Sequence, residues 1–132
     1  MKKYILTLII SQLILITDCL GQLELKADKF SFRELKDSTW TQFSDWQDIN
    51  VNVIINNEPN RIEIFDNPKL TYIILSENDE TKTEKDERVL SYNCEDGDCN
   101  KCNIIMIEKT NKNIYLIIYY TNMNFIYNVI EP

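Results

Sequence analysis

The sequence predicts an all-β domain: a small antiparallel meander of seven to eight short strands, closed as a barrel or packed as a two-sheet sandwich, after an N-terminal signal helix. Two observations carry this. Apolar residues alternate with polar ones over short runs, which places every second side chain on one face of a strand. Those runs are separated at short intervals by Asn, Asp and Pro clusters, which make turns. Glycine cannot share that work, because Gly97 is the only one after Gly21.

The first 21 residues stand apart. Met1-Lys2-Lys3 is positive, Tyr4 to Ile16 is apolar except for Thr7, Ser11 and Gln12, and Cys19-Leu20-Gly21 places small residues two apart before Gln22. This is the pattern of a secretory signal peptide. The run falls short of the roughly 20 apolar residues that span a bilayer. Residues 1–21 are therefore expected to be removed, leaving no stable membrane span and a single β-rich domain, residues 22–132, in an exported bacterial chain, periplasmic or secreted. Lipid anchoring through Cys19 is the lesser alternative, because the charged Asp18 precedes it.

Within the domain, Leu23, Leu25 and Ala27 alternate, as do Phe30 and Phe32, giving one interrupted strand. Trp40, Phe43 and Trp46 are spaced by three, as on a helical turn. Ser38, Thr39, Thr41 and Ser44 are poor helix-interior residues, so a short irregular strand with aromatics capping one end of the core is the better reading. Clear alternation follows at Ile49 to Ile55, Ile62 to Ile64 and Leu70 to Ile74, separated by turns at 56–60 and 66–68. Residues 76–87 contain no apolar side chain and read as a solvated loop or long hairpin tip. Strand character returns at Val89 to Cys94 and Cys102 to Ile107. A final hairpin, Ile114 to Tyr120 and Phe125 to Ile130, is expected to turn at Asn122-Met123-Asn124. The 114–120 strand is apolar on both faces, which suits a central position with tyrosines covering the outer side.

Charge and composition exclude more than they assign. The chain has 14 basic and 21 acidic side chains and no histidine. Without the first 21 residues, the net charge is −8. So acidic a surface repels nucleic-acid phosphates and anionic lipid. Without histidine, the Ser–His and Cys–His pairs and the usual catalytic zinc ligand are missing. No phosphate loop or hydrolase motif is present, and Glu63, Asp66 and Glu108 read as solvated strand carboxylates. The sequence points away from an enzyme and implies no cofactor.

Two features remain. Asp96-Gly97 is a strong two-residue hairpin signal, which would set Glu95 opposite Asp98 and Cys94 opposite Cys99. In an oxidising compartment that pair is the first choice of disulfide. A wider loop would pair Cys94 with Cys102, and a local Cys99–Cys102 bridge is the third option. Three thiols beside Glu95, Asp96 and Asp98 also admit a metal or redox role, although no fourth firm zinc ligand is available. The second feature is aromatic. Trp40, Phe43 and Trp46, together with Tyr115, Tyr119, Tyr120, Phe125 and Tyr127, fill the core or offer a surface to a ligand or partner. The leading functional reading is an exported, non-enzymatic binding or interaction module with a protein partner. A small barrel holding an apolar ligand comes second, and a metal or redox protein using Cys94, Cys99 and Cys102 third.

Overall fold

The alternating runs form strands, and the strands close on themselves. The structure is a computed structural model that describes residues 22–57 and 60–130, with the backbone alone at Asn57. The expected signal helix, Cys19 and residues 58 and 59 of the 56–60 turn lie outside the described residues. In chain order the strands are β1 (Gln22–Lys36), β2 (Thr39–Trp40), β3 (Gln47–Asn57), β4 (Asn60–Ile64), β5 (Leu70–Glu77), β6 (Thr81–Lys82), β7 (Arg88–Asp96), β8 (Lys101–Glu108), β9 (Ile114–Tyr119) and β10 (Met123–Ile130). Eight of them pair antiparallel in the sequence β1-β3-β4-β5-β7-β8-β9-β10, and β10 pairs back onto β1. The barrel, rather than the sandwich, is the architecture. Closure leaves every long strand with two neighbours, which removes the exposed edges that invite aggregation.

Closure depends on β1, whose 15 residues contact both β3 and β10. Both ladders shift register between Ala27 and Lys29. This bulge resets the period-two parity. Ala27 faces the interior, and after the extra residue Phe30 and Phe32 turn inward as well. The Phe30 ring lies 5.0 Å from Tyr127 and 5.9 Å from Phe125. Asp28, left unpaired in the ladder, accepts a hydrogen bond from Asn128 Nδ2 at 2.8 Å. The sequence reading of one interrupted strand is thus one continuous strand with a bulge at the interruption.

The interior is filled. Leu23, Leu25, Val53, Ile55, Ile62, Ile64, Tyr72, Leu90, Tyr92, Ile104, Met106, Leu116 and Ile118 are all essentially inaccessible and belong to one cluster. Eight strands enclose a space just wide enough for side chains to fill, and large ones, Tyr72 and Tyr92 among them, fill this one. β9 carries Leu116 and Ile118 inward, while Tyr115, Ile117 and Tyr119 lie outside, as its two apolar faces suggested.

Three local expectations are sharpened. Of the two readings of the 76–87 stretch, the long hairpin tip holds: β5 runs to Glu77 and pairs with β7, and β6 pairs with the start of β7. The last hairpin turns at Thr121-Asn122, closed by Tyr120 N–H donating to Met123 O at 2.8 Å, so Met123 and Asn124 already belong to β10. The short irregular strand forms as β2 at Thr39–Trp40, but Trp40, Phe43 and Trp46 do not cap the core and remain exposed.

Candidate functional site

Residues 39–46 form a strap along the outer half of β1, held by hydroxyl side chains that the sequence places at the right spacing. Thr41 N–H donates to Glu34 O and Ser44 N–H to Phe32 O, both at 2.8 Å. Thr41 Oγ1 accepts from Glu34 N–H at 3.0 Å, and Ser44 Oγ from Phe32 N–H at 3.1 Å. Ser31, itself buried, donates to Ser44 O at 2.6 Å. The Ser and Thr residues that disfavour a helix thus stand in for a strand ladder.

With its backbone and hydroxyls turned to β1, the strap presents its rings to solvent. Trp40, Phe43 and Trp46 are 37%, 42% and 45% exposed. Arg33 organises two of them: its guanidinium carbon sits 4.8 Å from the Trp40 ring and 4.8 Å from the Phe43 ring. With the Asn124 amide oriented to satisfy both its ends, that oxygen accepts from Arg33 Nε at 2.9 Å and Nη2 at 3.0 Å. The guanidinium is therefore held by two rings and an amide oxygen. Trp46 is separate, its ring 5.9 Å from Tyr115 on the outer wall. The structure joins Trp40 and Phe43 through Arg33 and sends Trp46 to the barrel's flank. Arg33 was missed from sequence because its partners lie 7, 10 and 91 residues away.

A second grouping occupies the barrel end formed by the β7–β8 hairpin. The Asp96-Gly97 two-residue turn does not form, because the Asp96 carboxylate organises a larger one. Its Oδ1 accepts from Asp98 N–H and from Asn100 N–H, each at 2.9 Å. Asp96 N–H donates to Asn100 O and Cys99 N–H to Asp96 O, both at 3.0 Å. The loop is Gly97-Asp98-Cys99, and it is Cys99, at φ 65°, that takes the left-handed conformation, as in a three-residue hairpin with a bulge. The consequence for register is direct: Glu95 faces Lys101 and Cys94 faces Cys102. The expected Cys94–Cys99 opposition is therefore overturned.

Asp96 also meets the interior. Tyr120 Oη donates to Asp96 Oδ2 at 2.8 Å, and Tyr72 and Cys102 are further partners of the Tyr120 hydroxyl. Burial pulls the Asp96 carboxyl up, yet the Asn100 and Asp98 amides with the Tyr120 hydroxyl outweigh it and hold the group below its ordinary value. Burial pushes Tyr72 up to about 12. It also raises the thiols of Cys94 and Cys102, to about 12 and about 11, assisted by their charged-form repulsion with Cys102 and Asp96 respectively. Counting by twos from Tyr92 and Ile118 puts Asp96 and Tyr120 on the inner face. That signal was available in the sequence and went unused.

Thiols raised so far are not nucleophiles at neutral pH. Among the described residues no three His, Cys, Asp or Glu side chains converge on a metal-sized site, which weighs against the metal reading of Cys94, Cys99 and Cys102. The strand carboxylates do not converge either. Glu63 is neutralised by Lys69 at 3.0 Å and Arg61 at 3.2 Å, Asp66 holds the Asn67 N–H, and Glu108 lies at the opposite end of the barrel, paired with Ile114. Cavities among the described residues include open grooves of about 280–460 Å³. One of about 280 Å³ is lined by Pro68, Tyr72, Asp96, Asp98 and Tyr120. No family model matches the chain, and neither a curated protein nor a solved structure matches it.

Proposed function

We propose that this chain is an exported binding module that engages a protein partner through the strap, with Trp40 and Phe43 as the anchors and Trp46 at their flank. One observation carries the reading. Large rings, which usually disappear into a core of this size, are held outward on a backbone pinned by five hydrogen bonds to β1. Exposed aromatics with an arginine between them are the composition of binding hot spots. Because Arg33 and the strap are already ordered, little conformational entropy is lost on association.

The alternative, a carrier of an apolar ligand, needs an apolar cavity of a few hundred cubic ångströms reaching solvent. Against it stand the fully buried side chains of Tyr72, Tyr92, Leu90 and Ile104, which take up interior volume. Export belongs to the same reading, since residues 1–21 have the signal pattern, and with it comes an oxidising environment for a disulfide in the cysteine hairpin.

The test is a photo-crosslinking amino acid placed at Phe43, at Trp46 and, as a control, at the exposed Asn52 of β3, in the cells that make the protein. The expected result is one adduct of fixed mass from positions 43 and 46 and none from 52. Equal labelling at all three, or none at any, sinks the proposal. An apolar molecule co-purifying in native mass spectrometry hands the case to the carrier. The same spectra read export directly: the mature chain is expected to begin at Gln22.

A further inference from the structure

We infer that Cys94 and Cys102 are the disulfide pair of this domain, bridging β7 to β8 inside the barrel, while Cys99 stays outside as a free thiol. Three observations assign the pair. Cys94 and Cys102 are direct register partners, and both are buried within the same core cluster, so their side chains share the inner face. The hairpin ladder sets their spacing. Asp96 N–H to Asn100 O is the closing hydrogen bond. Alternation from it makes Glu95–Lys101 a non-hydrogen-bonded pair and Cys94–Cys102 a hydrogen-bonded one, with a Cα separation of about 5.5 Å. That lies within the roughly 4.4–6.8 Å that disulfides span.

Cys99 is kept away by the same turn. Its left-handed backbone puts the thiol beside Glu95, whose carboxylate it bonds. Glu95 also holds Lys101 at 2.6 Å on the exposed side of the hairpin. Cys99 is exposed in the loop while Cys94 and Cys102 are buried, and neither Cys94–Cys99 nor Cys99–Cys102 is a register pair of the hairpin.

In the structure all three cysteines are free. The Cys94 thiol bonds Ile104 backbone and Cys102 bonds the Tyr120 hydroxyl, so joining requires both side chains to leave these partners and the two strands to draw closer at this pair. The reaction is ordinary exchange: two thiols and one disulfide oxidant, such as oxidised glutathione, give the Cys94–Cys102 bond and two reduced thiols, the two protons leaving with the glutathione. It needs a thiolate to begin, and burial suppresses thiolate in the closed barrel. The bridge is therefore made while the hairpin is still open, during folding.

The pairing is a property of the hairpin. Only its formation in the cell rests on the export reading, and the test is independent of that. The 22–132 chain is refolded with oxidised glutathione, alkylated in denaturant at low pH without reductant, and digested with trypsin. Cleavage after Lys101 separates Cys94 and Cys99, in peptide 89–101, from Cys102, in peptide 102–109. The expected product is these two peptides joined, with the alkyl label on Cys99. The Cys99→Ser chain gives the same linkage, and reduction lowers the thermal midpoint by about 10 °C. A label on Cys94 or on Cys102, a bridge internal to 89–101, or three labelled thiols each overturns the assignment.

Discussion

The β7–β9 wall and the strap at 39–46 use the same kinds of residue in opposite ways. Along the wall, Leu90, Tyr92, Ile104, Met106, Leu116 and Ile118 are sealed inside, and the polar atoms of the backbone go into ladders. In the strap the backbone N–H groups donate to β1 carbonyls while the Thr41 and Ser44 hydroxyls accept from β1 N–H groups, and the rings of Trp40, Phe43 and Trp46 face water. The difference shows that hydrophobicity alone does not decide burial. A strand ladder consumes one face of each residue pair, whereas a strap hung from hydroxyls leaves its large side chains free. Burial is thus concentrated in the wall, and exposed aromatic surface in the strap, where the proposed binding is placed.

The strongest way to break that division is to cut the wall. Ile104→Ala removes a wholly buried side chain between Tyr92 and Ile118, and urea unfolding is expected to show a loss of about 3 kcal/mol. A loss below about 1 kcal/mol would mean the interior tolerates empty space, which would return the barrel to the ligand carriers.

The wall's polar end tests the comparison at intermediate strength. Tyr120→Phe deletes the hydroxyl that reaches Asp96, Tyr72 and Cys102, with an expected cost of about 1–2 kcal/mol at neutral pH. The pH dependence has a definite sign. Asp96 is held below its ordinary value in the fold, so its contribution is complete above about pH 4 and fades as pH falls through the lower folded value. The gap between wild type and variant should therefore narrow in acid. At the alkaline side Tyr72, Tyr92, Tyr120 and Tyr127 are all raised by burial. The unfolded chain then releases protons first, and stability falls once pH passes about 10. Tyrosinate absorbance from these four should appear together with unfolding. Early, independent titration would show that the barrel end is open to water.

How much of this could be read from residues follows the same line. The wall was legible, because period two at Ile49 to Ile55 or at Leu116 to Ile118 is a local signal of which side chains go in. Closure by β1 on β10 was not, since Phe32 meets Phe125 across 93 residues and needs a bulge that the alternation hides as an interruption. The hairpin failed for a different reason. Asp96-Gly97 favours a two-residue turn by backbone preference, but the Asp96 side chain, with four hydrogen bonds to satisfy, selects the three-residue one. Cys94 changed partners as a result. The strap's aromatics stand outside the core rather than over one end of it, and nothing in their spacing shows that Ser44 and Thr41 anchor the segment.

The smallest expected effect is the sharpest test of the division. Trp40→Ala with Phe43→Ala removes two rings stacked on Arg33, yet their exposed sides are already in water. At the lower end of the roughly 0.5–1 kcal/mol that such a contact is worth at exposed sites, the two together come to about 1 kcal/mol, and the strap's hydrogen bonds do not involve the rings. The double variant should therefore unfold within about 1 kcal/mol of wild type while losing the crosslink expected at Trp46. If it instead unfolded as easily as Ile104→Ala, the rings would be structural, and the strap would be part of the wall in all but its exposure. If stability held and the Trp46 adduct persisted undiminished, Trp40 and Phe43 would be idle, and the contact surface would lie on the flank where Trp46 meets Tyr115. Only the first outcome keeps folding and binding in separate regions of one small barrel.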